Sequence, residues 1–127
     1  MIILHMAFLL LAGPDSVVHP IDAQLNKCLA HSSATMLRAT CYNNAYNLWE
    51  TDIRSTEKKL LARADASQKT ILRKNETAWE KQRDSSFNQV AQKYNGMRGT
   101  GYIPVRIRLR MEVLRVHALE LEAKLDQ

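Results

Sequence analysis

The sequence is poor in the residues that mark familiar catalytic and metal-binding proteins. Two cysteines in 127 residues cannot build a four-cysteine zinc site. Four glycines argue against a Gly-rich nucleotide loop and against a turn-dense β-sandwich. The four histidines, at positions 5, 19, 31 and 117, are scattered, and no HExxH, nucleophile elbow or P-loop is present. We therefore expect no enzyme, no metal and no cofactor. Acidic residues are in the minority: 18 Lys and Arg against 13 Asp and Glu give a net charge of +5. That charge permits nucleic acid, anionic lipid or an acidic partner and selects none of them. Apolar residues make up an ordinary 46%, enough for one packed domain at this length.

No apolar run reaches the roughly 20 residues of a spanning helix. Met1–Ala12, MIILHMAFLLLA, has the length expected for the core of a secretory signal peptide, although no Lys or Arg precedes it. Pro14–Pro20 holds two prolines and no helical period, as a linker would. The expected organisation is a signal peptide and linker over residues 1–20 and a helical domain over 21–127, with the protein periplasmic or secreted and carrying no transmembrane span. A buried N-terminal helix is the alternative for the first segment. In an exported protein, Cys28 and Cys41 most simply form one disulfide; in a cytosolic one they would be buried free thiols. The stretch His31–Thr35 between them reads as a turn with capping residues.

Ala34–Ala64 contains no Pro or Gly. Leu37, Cys41, Ala45, Leu48, Ile53, Thr56, Leu60 and Ala64 recur mostly at steps of three and four, predicting one buried helical stripe. Asp65-Ala66-Ser67 is the expected break, with Ser67 as N-cap. A third helix is predicted from Gln68 to Asn95, burying Leu72, Trp79, Phe87 or Ser86, Val90 and Tyr94, with Gly96 just past its end. The last segment carries two periods. Ile103 to Val113 alternates apolar and charged residues as a strand would, while Ile107, Met111, Leu114, Ala118, Leu121 and Leu125 step 4-3-4-3-4. A lone strand has nothing to pair with, and Pro104 suits a first helical turn, so a helix from Pro104 is expected. The fold class is then all-α: a small antiparallel bundle of one short and three long helices.

In the third helix, Leu72-x3-Glu76-x2-Trp79-x3-Arg83-Asp84 resembles the signature of the LprI-like lysozyme-inhibitor N-terminal domain family. Upstream, Cys41-x7-Trp49-Glu50-x2-Ile53 is similar to that family's Cys and Trp-Asp stretch. Downstream, Arg115-x3-Leu119-Glu120 is similar to its closing motif, and Gly96–Gly101 stands where its members have a Gly-rich loop. The resemblance spans about Ile21 to Lys124. It implies a small exported helical protein of bacterial envelopes, with lysozyme or another envelope protein as partner. Departures from the family pattern are Glu76 where Gln is usual, Arg54 where Asn is usual, and Glu57 where Tyr is common. A second cysteine pair found in many members is missing, since Ser85, Ser86 and Phe87 follow Asp84.

Arg83 lies one turn after Trp79, so both share a face; its expected role is an interhelical pair, with Glu50 as the candidate partner, or stacking on the indole. Arg98, Arg106, Arg108, Arg110 and Arg115 against Glu112 concentrate the positive charge near the C-terminal helix, a candidate contact for an anionic polymer. Two-residue steps turn roughly 200° on a helix, so Arg108 faces away from Arg106 and Arg110. The functional reading is an exported noncatalytic binding protein; the alternative is a basic helical module that binds nucleic acid or another polyanion, with export counting against nucleic acid. A hydrolase built on Glu76 and Glu80 is the third and weakest reading. A net charge of +5 sits badly with a cationic lysozyme partner unless an acidic patch exists.

Overall fold

The computed structural model describes residues 17–127; Met1–Ser16, and with them the expected signal segment, lie outside the described residues. Four helices follow in order: α1 Pro20–Ala30, α2 Thr35–Arg63, α3 Ala66–Lys93 and α4 Tyr102–Leu125. No strand occurs among the described residues, so the final segment follows its helical period.

The core is the seam between α2 and α4. Ala45, Trp49, Ile53 and Leu60 of α2 interlock with Met111, Leu114, Ala118 and Leu121 of α4. The 3-4-3 spacing in α4 explains why the alternation of its arginines does not decide its conformation: burying one stripe at helical period gains more than pairing an isolated edge. The α2 stripe differs from expectation at three places, the last being Ala64, which is half-buried and caps the helix just past its end. Leu37, in the first turn of α2, is exposed. Trp49, not Leu48, is the fully buried residue.

The two other helices flank this seam. α1 buries no residue completely and packs on α2 through Ile21 and Leu25. The Cys28–Cys41 disulfide, with Cα atoms 5.7 Å apart, ties its C-terminal end to α2. α3 also buries no residue completely; Leu72, Trp79 and Phe87 lean on the core from one side. It rests mainly on α4 and hardly touches α2, which leaves a cleft between consecutive antiparallel helices.

Helix ends follow local chemistry. Asp65, rather than Ser67, caps α3: its carboxylate accepts from Gln68 N–H at 2.8 Å and Gln68 Oε1 accepts from Asp65 N–H at 2.9 Å. This reciprocal capping box favours Asp65 because only from there does Gln68 fall at the third helical position. α4 begins at Tyr102, so Pro104 sits inside its first turn, where no amide hydrogen is needed. Gly96 follows α3 with φ +76°, the left-handed region that favours glycine. Arg63 donates to the carbonyls of Lys124 and Leu125 and so closes the C-terminal end of α4.

Candidate functional site

Two polar clusters lie on opposite flanks of the core. The first fastens α1. His19 caps the helix by accepting the Ile21 amide hydrogen at Nδ1, 3.1 Å away. The proton is thereby assigned to Nε2, which donates to Glu122 Oε1 at 2.9 Å. Asp22 takes a two-pronged contact from Arg115, Nε to Oδ1 at 2.9 Å and Nη2 to Oδ2 at 2.8 Å, a geometry suited to the planar guanidinium. The same guanidinium lies 5.9 Å from the centre of the Trp49 ring, and the His19 ring lies 4.5 Å from it on centroids.

Asp52 completes this flank. Its Oδ2 is buried and meets no donor, and burial, then a shared hydrogen bond and repulsion with Glu122, push its carboxyl up to about 6. His19, Asp52 and Glu122 bring ligand-type atoms within 4.8 Å of one another. A cation bound at Nε2 would need the histidine proton moved to Nδ1, which would break the α1 cap. The cluster is a clamp between α1, α2 and α4.

The second cluster lines the cleft between α2 and α3, about 420 Å³ in volume, with Leu114 of α4 in its lining. Glu50 and Glu57 from α2 and Glu76, Glu80 and Asp84 from α3 face it, against Arg54 and Arg83. Five carboxylates against two guanidiniums make the cleft formally −3 in a chain of net +5. A larger hollow of about 510 Å³ near the α2–α3 turn, lined by Leu60, Ile71, Leu72, Arg63 and Lys124 among others, gathers no acidic residue.

Glu57 is the most perturbed acid in the cleft. Burial first, then a shared hydrogen bond with Glu76 and the charges of Glu76 and Glu80, push it up to about 7, against the pull of Arg54. His117 of α4 backs this point. It is buried, its ring stacks on Trp79 with centroids 3.8 Å apart and planes 7° from parallel, and its buried Nε2 has no hydrogen-bond partner among the described residues. Burial, helped by the Lys124 charge, lowers it to about 4. His117 is therefore neutral at physiological pH, and its 3.9 Å approach to Glu57 is not an ion pair there.

The residues singled out in the sequence fall into distinct groups. Glu76, Trp79, Arg83 and Asp84 line the cleft. Trp49 and Leu72 pack in and against the core, and Arg115 belongs to the α1 clamp. The expected Arg83–Glu50 pair does not form, because the cleft separates α2 from α3. Arg83 instead lies 5.3 Å over Trp79 and donates to Asp84 at 3.0 Å, while Glu50 accepts from Arg54 at 2.6 Å. Arg106 and Arg110 line a second hollow of about 410 Å³ between α3 and α4. Arg108 is exposed elsewhere on α4, and Arg98 lies in the α3–α4 loop. Sequence reasoning missed His117, Asp52 and Glu122, which carry no spacing signal, and recorded Glu57 only as a departure.

The described residues thus form an all-α bundle with an acidic cleft between α2 and α3. Residues 24–121 match the family described as lysozyme inhibitor LprI, and the chain belongs to that family. No curated protein and no solved structure matches it. No helix among the described residues is long and apolar enough to cross a membrane.

Proposed function

We propose that this chain is an exported, noncatalytic envelope protein that binds and blocks a lysozyme, and that the cleft between α2 and α3 is the surface it presents. The observation that carries this reading is the sign of the cleft. The net charge of +5 would repel a cationic enzyme, yet the concave surface is formally −3, and complementary potential steers encounter and fixes orientation. The disulfide supports an oxidising compartment. The noncatalytic reading draws on the family, which is described as lysozyme inhibitors.

The test is a cell-wall turbidity assay with a cationic lysozyme. The wild-type chain is expected to slow clearing, and a Glu80→Lys/Asp84→Lys double variant, changed at two exposed cleft positions, to lose at least about tenfold in potency. No slowing at large molar excess would remove the reading.

A second contact is supported by the basic end of the molecule. Arg106 and Arg110 flank a hollow that also includes Tyr94, and none of Arg98, Arg106, Arg108 and Arg110 has an ion pair among the described residues. This end suits an anionic polymer of the envelope. Retention on heparin is expected to drop to lower salt in an Arg106→Gln/Arg110→Gln variant, in line with loss of about two charge contacts. Unchanged elution would exclude it.

A further inference from the structure

Within the cleft, charge is unbalanced at one point. Glu57, with its side chain 17% exposed, meets Glu76 from α3, with Glu80 acting on it from the next turn. The buried Nε2 of His117 lies 3.9 Å from Glu57 Oε1 and has no hydrogen-bond partner. Arg54, about one turn before Glu57 on α2, is turned outward, 74% exposed and bound to Glu50. Below this point a small space of about 30 Å³, lined by Glu57, Glu76, His117 and Lys124 among others, has room for about one water.

We propose that this point is a recognition slot for one arginine side chain of the partner protein, its guanidinium lying in the open cleft against Glu57 and Glu76 and reaching His117 Nε2 through one water in the small space below. The inference rests on the cleft being the partner surface and adds the chemical group that the cleft reads. A guanidinium carries five N–H donors in a planar fork, so it can serve two carboxylates and a bridging water that point in different directions. An ammonium is a compact, strongly hydrated charge and gives up more water on entering a half-buried slot. Neutral His117, with its Nδ1 4.0 Å from Glu120, offers Nε2 as an acceptor when the proton sits on Nδ1.

In the free protein the slot is balanced by a proton. With Glu57 pushed up to about 7, that proton is largely present at pH 6 and largely absent at pH 8. An entering guanidinium favours the ionised pair and expels the proton to solvent. Other charged or titratable groups facing Glu57 are Arg54 on its own helix, Glu76 and Glu80 from α3, and His117 and Lys124 from α4. His117, lowered to about 4, does not titrate between pH 6 and 8. The sign follows: the proton competes with the cation, so binding weakens as pH falls, by about tenfold between pH 8 and pH 6 for one competing proton.

Calorimetry with the full chain and a hexa-arginine peptide, at both pH values and in two buffers of different ionisation enthalpy, tests this. The expected result is about tenfold tighter binding at pH 8 and release of close to one proton per complex at pH 6. Hexa-lysine should bind several-fold more weakly. Glu57→Gln, and separately Glu76→Gln should the first not fold, should abolish both the proton release and the pH dependence. Binding that is flat with pH, equal binding of the two peptides, or proton release that survives in both variants would overturn the slot. Turbidity assays run in parallel separate the two readings. Proton-linked peptide binding without any slowing of lysis retains the slot and removes the lysozyme role. Lysis slowed equally by wild type and Glu57→Gln at both pH values removes the slot and retains that role.

Discussion

Replacing Trp49 with alanine is expected to cost about 3–5 kcal/mol of stability, a fall in melting temperature of roughly 10–20 °C for a domain of this size. The indole is fully buried in the α2–α4 seam, among the few large side chains from which both helices gain their packing. Its loss would leave a void at the centre, and neighbours fixed on two long rigid helices can collapse into it only in part. It would also unseat the clamp, since the His19 ring and the Arg115 guanidinium both lie against the indole. Phenylalanine should cost much less. It keeps most of the ring, and the indole N–H, buried without a partner, carries a desolvation cost that the substitution removes. Thermal melts followed by far-ultraviolet circular dichroism would show the difference. An alanine variant melting within about 3 °C of wild type would mean that the seam is not the stabilising core.

How much of this was legible in the sequence differs by level. Helical period places α2 and α4 because each must bury one stripe against the other, and a single stripe is a local pattern. Of the six residues its 4-3-4-3-4 spacing selects, Met111, Leu114, Ala118 and Leu121 are buried and the outer two, Ile107 and Leu125, are half-buried, while Pro104 and His117 are buried outside that set. The start of α3 is misplaced by two residues because Asp65 and Ser67 are both competent caps, and the choice falls to the reach of Gln68. Pairings across helices are not legible. Arg83 and Glu50 have suitable charge and plausible register, yet the splay of α3 away from α2 keeps them apart. Conversely, Glu57 and Glu76 stand in the sequence as two separate departures from the family pattern. The fold brings them to one point of the cleft.

This pairing changes what the net charge means. A value of +5 describes neither the cleft nor the α1 clamp, where Arg115 is already matched by Asp22. Arg98, Arg106, Arg108 and Arg110, near the α3–α4 loop and the first half of α4, have no ion pair among the described residues, and five carboxylates line the α2–α3 cleft. A protein polarised in this way can hold an anionic matrix at one end and a cationic enzyme in its cleft. Both contacts weaken with salt, because exposed charges are screened beyond a Debye length of about 8–10 Å. A salt series therefore cannot distinguish them, whereas the pH series at the cleft can.

Reduction of the Cys28–Cys41 disulfide is expected to release α1 before the rest of the bundle melts, and to lower overall stability by about 3 kcal/mol. The estimate comes from the chain entropy restored when a loop of this length is opened, with the two cysteines 13 positions apart. The order of events comes from how α1 is held. None of its residues is completely buried, and apart from the disulfide its attachment consists of Ile21 and Leu25 on the core, the Asp22–Arg115 contact and the His19–Glu122 bond. Eleven residues are also too few to stay helical alone in water. Once freed, α1 would uncover Trp49 and leave Asp52 and Glu122 open to solvent, so the indole emission should shift to the red while most helical signal persists. Hydrogen exchange should quicken over Pro20–Ala30 and stay slow over the α2–α4 seam, the pattern of a locally unfolding unit. The α2–α3 cleft lies on the opposite flank and shares no side chain with α1, so partner binding should survive reduction at temperatures where α2–α4 remains folded. If exchange instead rises uniformly along the chain, α1 is part of the cooperative core and the disulfide holds the whole fold.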